Sequence, residues 1–179
     1  MIIGNGDIAS VLPEKKELLF FASGVSNSQE KRESQYLREK NLLLTQDKRS
    51  HIVYFSSLSV LYGDNRYAHH KREMEVLVKQ EFFRHTILRI GNITWGTNPH
   101  TIINFFRNQL AKGKPIRIED TYRYIIDKDE FLHWIGMIPE WSCEMNIPGR
   151  RMKVSQIVEE YCLIGINKDR IIKIVGKAK

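Results

Sequence analysis

Tyr67 and Lys71 stand four residues apart in the run Tyr67-Ala68-His69-His70-Lys71. On a helix this spacing sets both side chains on one face. A phenol titrates near about 10, too high for a base at neutral pH, and a neighbouring ammonium stabilises the phenolate. The same ammonium can donate to the hydroxyls of a bound ribose. Upstream, an apolar segment ends in Ser56-Ser57, and the Ser57 hydroxyl can orient a substrate hydroxyl or carbonyl. Tyrosine as acid/base, lysine as its tuner and serine as orienter suit proton exchange beside a ring that accepts or donates hydride. Tyr-x-x-x-Lys alone arises often by chance, so the order of the surrounding segments carries the information. His69 and His70 are adjacent and cannot share a helical face, so no metal site is expected.

The second candidate is Gly4-Asn5-Gly6-Asp7-Ile8-Ala9, a G-x-G-x-x-A pattern directly after an apolar start. The first glycine permits a tight turn, the second lets backbone approach a diphosphate, and Ala9 lets helix and strand pack closely. Gly4, Gly6, Asp7 and Ile8 are the expected phosphate-side contacts of a dinucleotide, on the free N–H groups of a helix start. An acid that reads the ribose is expected roughly 20 residues on, yet the sequence there is Ala22-Ser23-Gly24-Val25-Ser26. Either the 2′-hydroxyl goes unread, or a phosphate sits there, or the dinucleotide site has decayed. Lys15 and Lys16 are candidate partners for a 2′-phosphate.

Positioning these groups requires an alternation of strands and helices. Short apolar runs recur between longer helical patterns, the signature of βα units and a parallel sheet. Strands are predicted over Met1–Ile3, Glu17–Ala22, His51–Phe55, Thr86–Ile90, Ile116–Ile118, Tyr122–Ile126, Met145–Ile147 and Ile171–Val175. A short helix over Asp7–Leu12 should stop at Pro13. Longer helices are predicted from Asn27 to about Gln46 with Tyr36, Leu37 and Leu42 inward, and over Tyr67–Phe83 with Met74, Leu77 and Val78 inward. Others span Thr101–Leu110 with a glycine end at Gly113, Asp127–Ile138 with Asp127 as N-cap and Glu130 as its box partner, and Val154–Leu163.

At 179 residues, with 42% hydrophobic and 27% charged residues, the chain suits one globular domain. Cys143 and Cys162 form neither a metal spacing nor a disulfide framework, which fits a reducing compartment. No signal-peptide pattern opens the sequence and no apolar run reaches membrane-spanning length, so a cytoplasmic location with no membrane partner is expected. The net charge of +7 is open to three readings: scattered solvated cations, attraction for small phosphorylated ligands, or nucleic acid. Bases interleave with acids, as in Glu30-Lys31-Arg32-Glu33, and no aromatic-interleaved basic stripe exists, so nucleic acid is not the expected partner.

In this order the segments resemble the extended short-chain dehydrogenases/reductases, the NAD-dependent epimerases, dehydratases and reductases of nucleotide-linked sugars. Phe55-Ser56-Ser57-Leu58-Ser59-Val60-Leu61-Tyr62-Gly63-Asp64 is similar to the family's serine strand and following Tyr-Gly. Tyr67 and Lys71 match its Tyr-x-x-x-Lys. Leu88-Arg89-Ile90-Gly91-Asn92-Ile93-Thr94-Trp95-Gly96 is similar to its Leu-Arg-x-x-Asn-x-x-Gly segment, and Asn146-Ile147-Pro148-Gly149 resembles the Asn-x-x-Gly before its last helix. Arg123-Tyr124-Ile125-Ile126-Asp127-Lys128-Asp129 looks like the strand whose arginine holds the sugar nucleotide's diphosphate.

The resemblance implies a Rossmann-like parallel sheet flanked by helices. Glu17–Ala22 resembles the family's fourth strand rather than its second, so the chain is expected to lack about two βα units, the adenosine-binding part. A single domain is expected, with residues 1–98 as cofactor-binding core and 99–179 as a small substrate-side part. The cofactor implied is NAD or NADP, contacted by Gly4, Gly6, Asp7, Ile8, Ala22, Ser23 and Lys71. The catalytic residues implied are Tyr67, Lys71 and Ser57, although counting back from Gly63 puts Leu58 at the serine position. A nucleotide-sugar substrate is implied at Asn92 and Arg123, with Arg107 as a second phosphate partner. A homodimer through the helices of Asn27–Gln46 and Tyr67–Phe83 is also implied. The alternative is a weakly active or inactive dinucleotide-binding or regulatory homologue that works through dimerisation.

Overall fold

A computed structural model describes residues 1–163; the predicted strand Ile171–Val175 lies outside them. In chain order the elements are β1 (Ile2–Ile3), β2 (Leu18–Phe21), α1 (Glu33–Leu44), β3 (His51–Ser57), α2 (Ser59–Tyr62), α3 (Arg66–Glu81), β4 (Arg84–Ile90), β5 (Asn92–Ile93), α4 (Ile102–Ala111), β6 (Tyr122–Ile126), α5 (Lys128–Gly136), β7 (Cys143–Ile147), β8 (Arg150–Lys153) and α6 (Val154–Ile157). Five strands pair in parallel in the order β1-β2-β3-β4-β7. This is a Rossmann-like α/β sheet. Among the described residues β1 is its edge, and no strand pairs beyond it. A second sheet, β5-β6-β8, has β5 parallel and β8 antiparallel to β6.

Side-chain alternation explains the layers. In β2, Leu18 and Phe20 face one core with Val53, Phe55, Leu88 and the α5 residues Phe131 and Ile135. Leu19 and Phe21 face the other, with Ile52, Tyr54, Ile87 and the helix residues Leu43, Met74 and Val78. Being buried on both faces, these strands read as continuous apolar runs. A third core joins α4, β6 and α6 through Ile103, Phe106, Ile125 and Ile157. Caps fix the helix starts: Asn65, Thr101 and Asp127 accept from the backbone N–H of Ala68, Asn104 and Glu130 respectively. Gly113, at φ +63°, ends α4 in the left-handed conformation.

Several expectations are corrected. The helix predicted over Asp7–Leu12 is only a 3-10 turn, Ala9–Val11, because Pro13 follows too soon for another turn. The inner face of α1 carries Tyr36, Glu39 and Leu43, while Leu37 is 55% exposed. Ile116 makes only an isolated bridge, so no strand forms over Ile116–Ile118. Strands β5 and β8 were not expected. The helix predicted over Val154–Leu163 widens into a π turn at Val158–Cys162. No described helix is long and apolar enough to cross a membrane.

Candidate functional site

A cleft of about 840 Å³ opens at the carboxyl ends of the parallel strands, within the size range of small-molecule sites. Gly6, Asp7 and Ile8 line one side, Ala22 and Ser23 the floor, and Ser57, Tyr67 and Lys71 the opposite wall. Asn92 and Arg123 close the far end. Topology produces much of this convergence: Gly6, Ala22, Ser23 and Ser57 sit at or just beyond the carboxyl ends of β1, β2 and β3, while Tyr67 and Lys71 come from α3 and Asn92 and Arg123 from β5 and β6 of the second sheet.

The glycines divide their tasks. Gly4 has φ +122°, and a Cβ there would run into the Ala22 carbonyl, so it shapes the turn from beneath. A Cβ on Gly6 would meet nothing within 4 Å, which leaves its backbone open to an approaching ligand. Asp7 is engaged elsewhere. Its carboxylate accepts from the backbone N–H of Thr97 at 3.0 Å and of Asn98 at 2.9 Å, and its carbonyl accepts from Trp95 Nε1 at 3.0 Å. Asn98 Nδ2 also donates to Ser26 Oγ at 3.1 Å. The Trp95–Asn98 segment is thus fastened to the glycine turn and to the loop after β2. No local sequence signal announces this tie.

On the opposite wall Ser57 Oγ accepts from the backbone N–H of Ser59 at 3.2 Å and lies 3.0 Å from Ser59 Oγ. Ser56 points the other way and donates to Glu75 at 2.6 Å. Ser57, Leu58 and Ser59 all border the cleft, with Leu58 buried. Tyr67 is half-buried, and its ring centre is 5.9 Å from Lys71 Nζ. Burial pushes the Tyr67 phenol above its ordinary value; Lys71 and Ser57 pull it down without prevailing, and Glu39 adds to the rise.

Glu39 is the main residue that sequence reasoning missed. It is fully buried, and four groups converge on it: Lys71 Nζ at 2.9 Å, Tyr54 Oη at 2.6 Å, His70 Nε2 at 3.0 Å and the Val25 N–H at 2.6 Å. Burial alone would raise its carboxyl, but Lys71, His70, Tyr54 and Val25 together hold it well below the usual carboxylate range. Lys71 is 2% exposed. Burial opposes its charge, yet Glu39 and Tyr67 carry it above the ordinary lysine value. Tyr54 is raised by burial and by Glu39 and remains a donor. The available signal was Glu39's spacing from Tyr36 and Leu43, a charge on an apolar helical stripe. His69 faces outward to Asp64 at 2.9 Å and His70 inward to Glu39.

Asn92 Nδ2 donates to the Tyr124 carbonyl at 3.0 Å. Arg123 donates to Thr121 Oγ1 at 3.1 Å and to the Tyr122 carbonyl at 2.9 Å, with no carboxylate among its described partners. Arg38, unforeseen, also lines the cleft and donates to Ser23 Oγ and the Ser23 carbonyl at 3.1 and 3.0 Å. Arg107 is not in the cleft; it donates to the Tyr161 carbonyl at 3.0 Å. Lys15 is likewise occupied, donating to the Ile135 carbonyl at 3.0 Å.

No protein-family model matches the chain, and neither does any curated protein. Solved structures do match in fold. WbmG of Bordetella bronchiseptica in complex with NAD aligns at TM-score 0.60 and 15% identity, over 83% of this chain and 56% of that one. UDP-glucose 4-epimerase of Thermotoga maritima with UDP-glucose gives 0.60 and 18%, over 80% and 59%. RMD of Pseudomonas aeruginosa with NADPH gives 0.63 and 19%, over 82% and 64%. The chain therefore spans between 56% and 64% of the length of these three.

Proposed function

We propose that this chain, built on the fold of enzymes solved with NAD, NADPH and a nucleotide sugar, is an NAD(P)-dependent oxidoreductase or epimerase-type protein acting on a nucleotide-linked sugar. The observation that carries it is the single cleft shared by an open-backed glycine turn and the Tyr67–Lys71–Ser57 wall. The residues fit a dinucleotide on its nicotinamide side: Gly6 leaves room for a diphosphate, and Ala22 and Ser23 face the same space. When bound, the cofactor supplies a ring that accepts or donates hydride.

The chain's own residues would do the rest. Ser57 orients a sugar hydroxyl or carbonyl toward Tyr67. Tyr67 exchanges the proton of that oxygen, and its Oη is where the proton is held. Lys71 sets its ammonium, paired with Glu39, beside the phenol. Asn92 orients the sugar, and Arg123 grips diphosphate oxygens through paired charge-assisted hydrogen bonds.

A thermal melt with NAD(H) and NADP(H) tests the reading. Ligand at about a hundred times its Kd adds about 2.7 kcal/mol, a rise of roughly 5–10 °C for a domain of this size. An unchanged melt with all four dinucleotides, together with Tyr67→Phe that alters no turnover of a nucleotide sugar, would overturn it.

A second reading is a weakly active or regulatory dinucleotide binder. The favouring observation is that the three N–H bonds of Lys71 already face Glu39, Tyr54 Oη and the Phe55 carbonyl, at 2.9, 3.0 and 3.5 Å. Binding without turnover would select it. In either reading pairing through α1 and α3, which expose Leu37, Leu44 and Val76, predicts a dimer mass in solution by light scattering.

A further inference from the structure

The Glu39 carboxylate sits behind the wall that carries Tyr67 and Lys71 and touches neither solvent nor the cleft surface. Its four partners come from three places: Val25 from the loop after β2, Tyr54 from β3, and His70 and Lys71 from α3. Gly24 belongs to the same cluster. A Cβ there would meet Lys71 Nζ at 2.7 Å and Glu39 Oε1 at 2.9 Å. Burying a carboxylate costs several kcal/mol, and an apolar pair of similar volume is often as stable or more so. Stability alone is therefore a poor reason for a buried ion pair against a ligand cleft.

We propose that Glu39 is a positioning residue of the cleft, which takes up the Lys71 ammonium and thereby keeps the Tyr67 phenol protonated, so that Tyr67 meets a bound ligand as a proton donor. The proposal rests on the reading of Tyr67 as the proton-exchanging group.

Geometry carries it. A lone ammonium 5.9 Å from the Tyr67 ring would favour the phenolate. With a carboxylate 2.9 Å from that ammonium, the pair presents a dipole rather than a lone charge, and the carboxylate opposes the pull on the phenol. Lys71 has all three N–H bonds directed at protein acceptors, so its position is fixed by Glu39 and β3 before any ligand arrives. The other charged groups around Tyr67 and the pair have partners of their own, Arg66 among them, which lies over the Tyr36 ring and is paired with Glu33 at 2.8 Å. Tyr36 lies on α1, Tyr54 and Ser57 on β3 and Tyr62 on α2. His70 is held against Glu39, and Glu75 is taken by Arg89 at 2.5 Å and Ser56 at 2.6 Å.

The test follows Tyr67 itself. Tyrosine labelled with carbon-13 at the ring carbon bearing oxygen reports each phenol's titration by NMR, and Tyr67→Phe assigns its resonance among the 7 tyrosines. Glu39→Gln is expected to move the Tyr67 titration to lower pH, Glu39→Asp to leave it near that of the parent, and Lys71→Met to move it to higher pH. An unmoved titration in Glu39→Gln would overturn the proposal, since loss of a merely structural contact would not change the field at the phenol. If Glu39→Gln does not fold, Glu39→Gln/Lys71→Met carries neither charge and decides the matter. A Tyr67 titration close to the parent's supports cancellation, and one well above it overturns it. Dinucleotide melts on the same proteins report separately on the proposed function, because the titration needs neither cofactor nor turnover.

Discussion

Lys71→Met leaves the Glu39 carboxylate, 0% exposed, without its ammonium. Removing one member of a buried ion pair costs about 3–5 kcal/mol, because the remaining charge stays desolvated. Here the lower end is expected, since Tyr54 Oη, Val25 N–H and His70 Nε2 remain within 2.6, 2.6 and 3.0 Å of the carboxylate. With a urea m-value of about 2 kcal/mol/M, a loss of about 3 kcal/mol lowers the midpoint at pH 7 by about 1.5 M. Glu39→Gln should cost a comparable amount by stranding Lys71. The double variant Glu39→Gln/Lys71→Met removes both charges of the pair and should be more stable than either single variant, a coupling of about 2 kcal/mol or more. The assay is urea unfolding followed by circular dichroism on all four proteins, with unchanged m-values as the check on cooperativity. Simple addition of the two single costs in the double variant would refute the reasoning, as would a cost below about 1 kcal/mol for both singles.

The pair also sets a pH window. The folded value of Glu39 lies below the ordinary 4.5, so its contribution is fully present above that value and is lost as pH falls through the lower folded one. The folded value of Lys71 lies above the ordinary 10.5, so its share is present below that and is lost as pH rises through the folded value. Urea midpoints against pH should show the acid-side loss reduced in Glu39→Gln. Gly4→Ala forces a side chain to φ +122° against the Ala22 carbonyl and should cost on the order of 1–3 kcal/mol by thermal melt. Gly6→Ala should leave the melt within about 0.5 kcal/mol while weakening dinucleotide binding by calorimetry. Asp7→Ala removes the acceptor for Thr97 and Asn98; it should cost about 1 kcal/mol and speed hydrogen exchange at those two amides.

Strands of the parallel sheet were legible because burial on both faces leaves no polar positions to obscure the run Leu18-Leu19-Phe20-Phe21. The cleft residues were legible for a related reason: topology gathers the ends of such strands, so order along the chain becomes proximity in space. The inner face of α1 was placed on Tyr36, Leu37 and Leu42, whereas Glu39 and not Leu37 is buried there, and only the acceptance of four buried partners makes a charge tolerable at that position. Strand β8, Arg150-Arg151-Met152-Lys153, lacks an apolar run; it forms because β6 offers it an antiparallel edge. Conversely Ile116 and Ile118 have β-branched side chains but no neighbouring strand to complete a ladder. Loop contacts such as Asp7 with Thr97 join residues 90 apart, and nothing local encodes them.

Gly24 gives the arrangement a further property. It carries no side chain, and the room this leaves is filled by the Lys71 ammonium and the Glu39 carboxylate. The outline of the cleft and the charge behind it are consequently one variable. A methyl group added to this loop would have to displace an ion pair, and any reshaping of the loop to admit a different ligand would also retune the acidity of the tyrosine across from it.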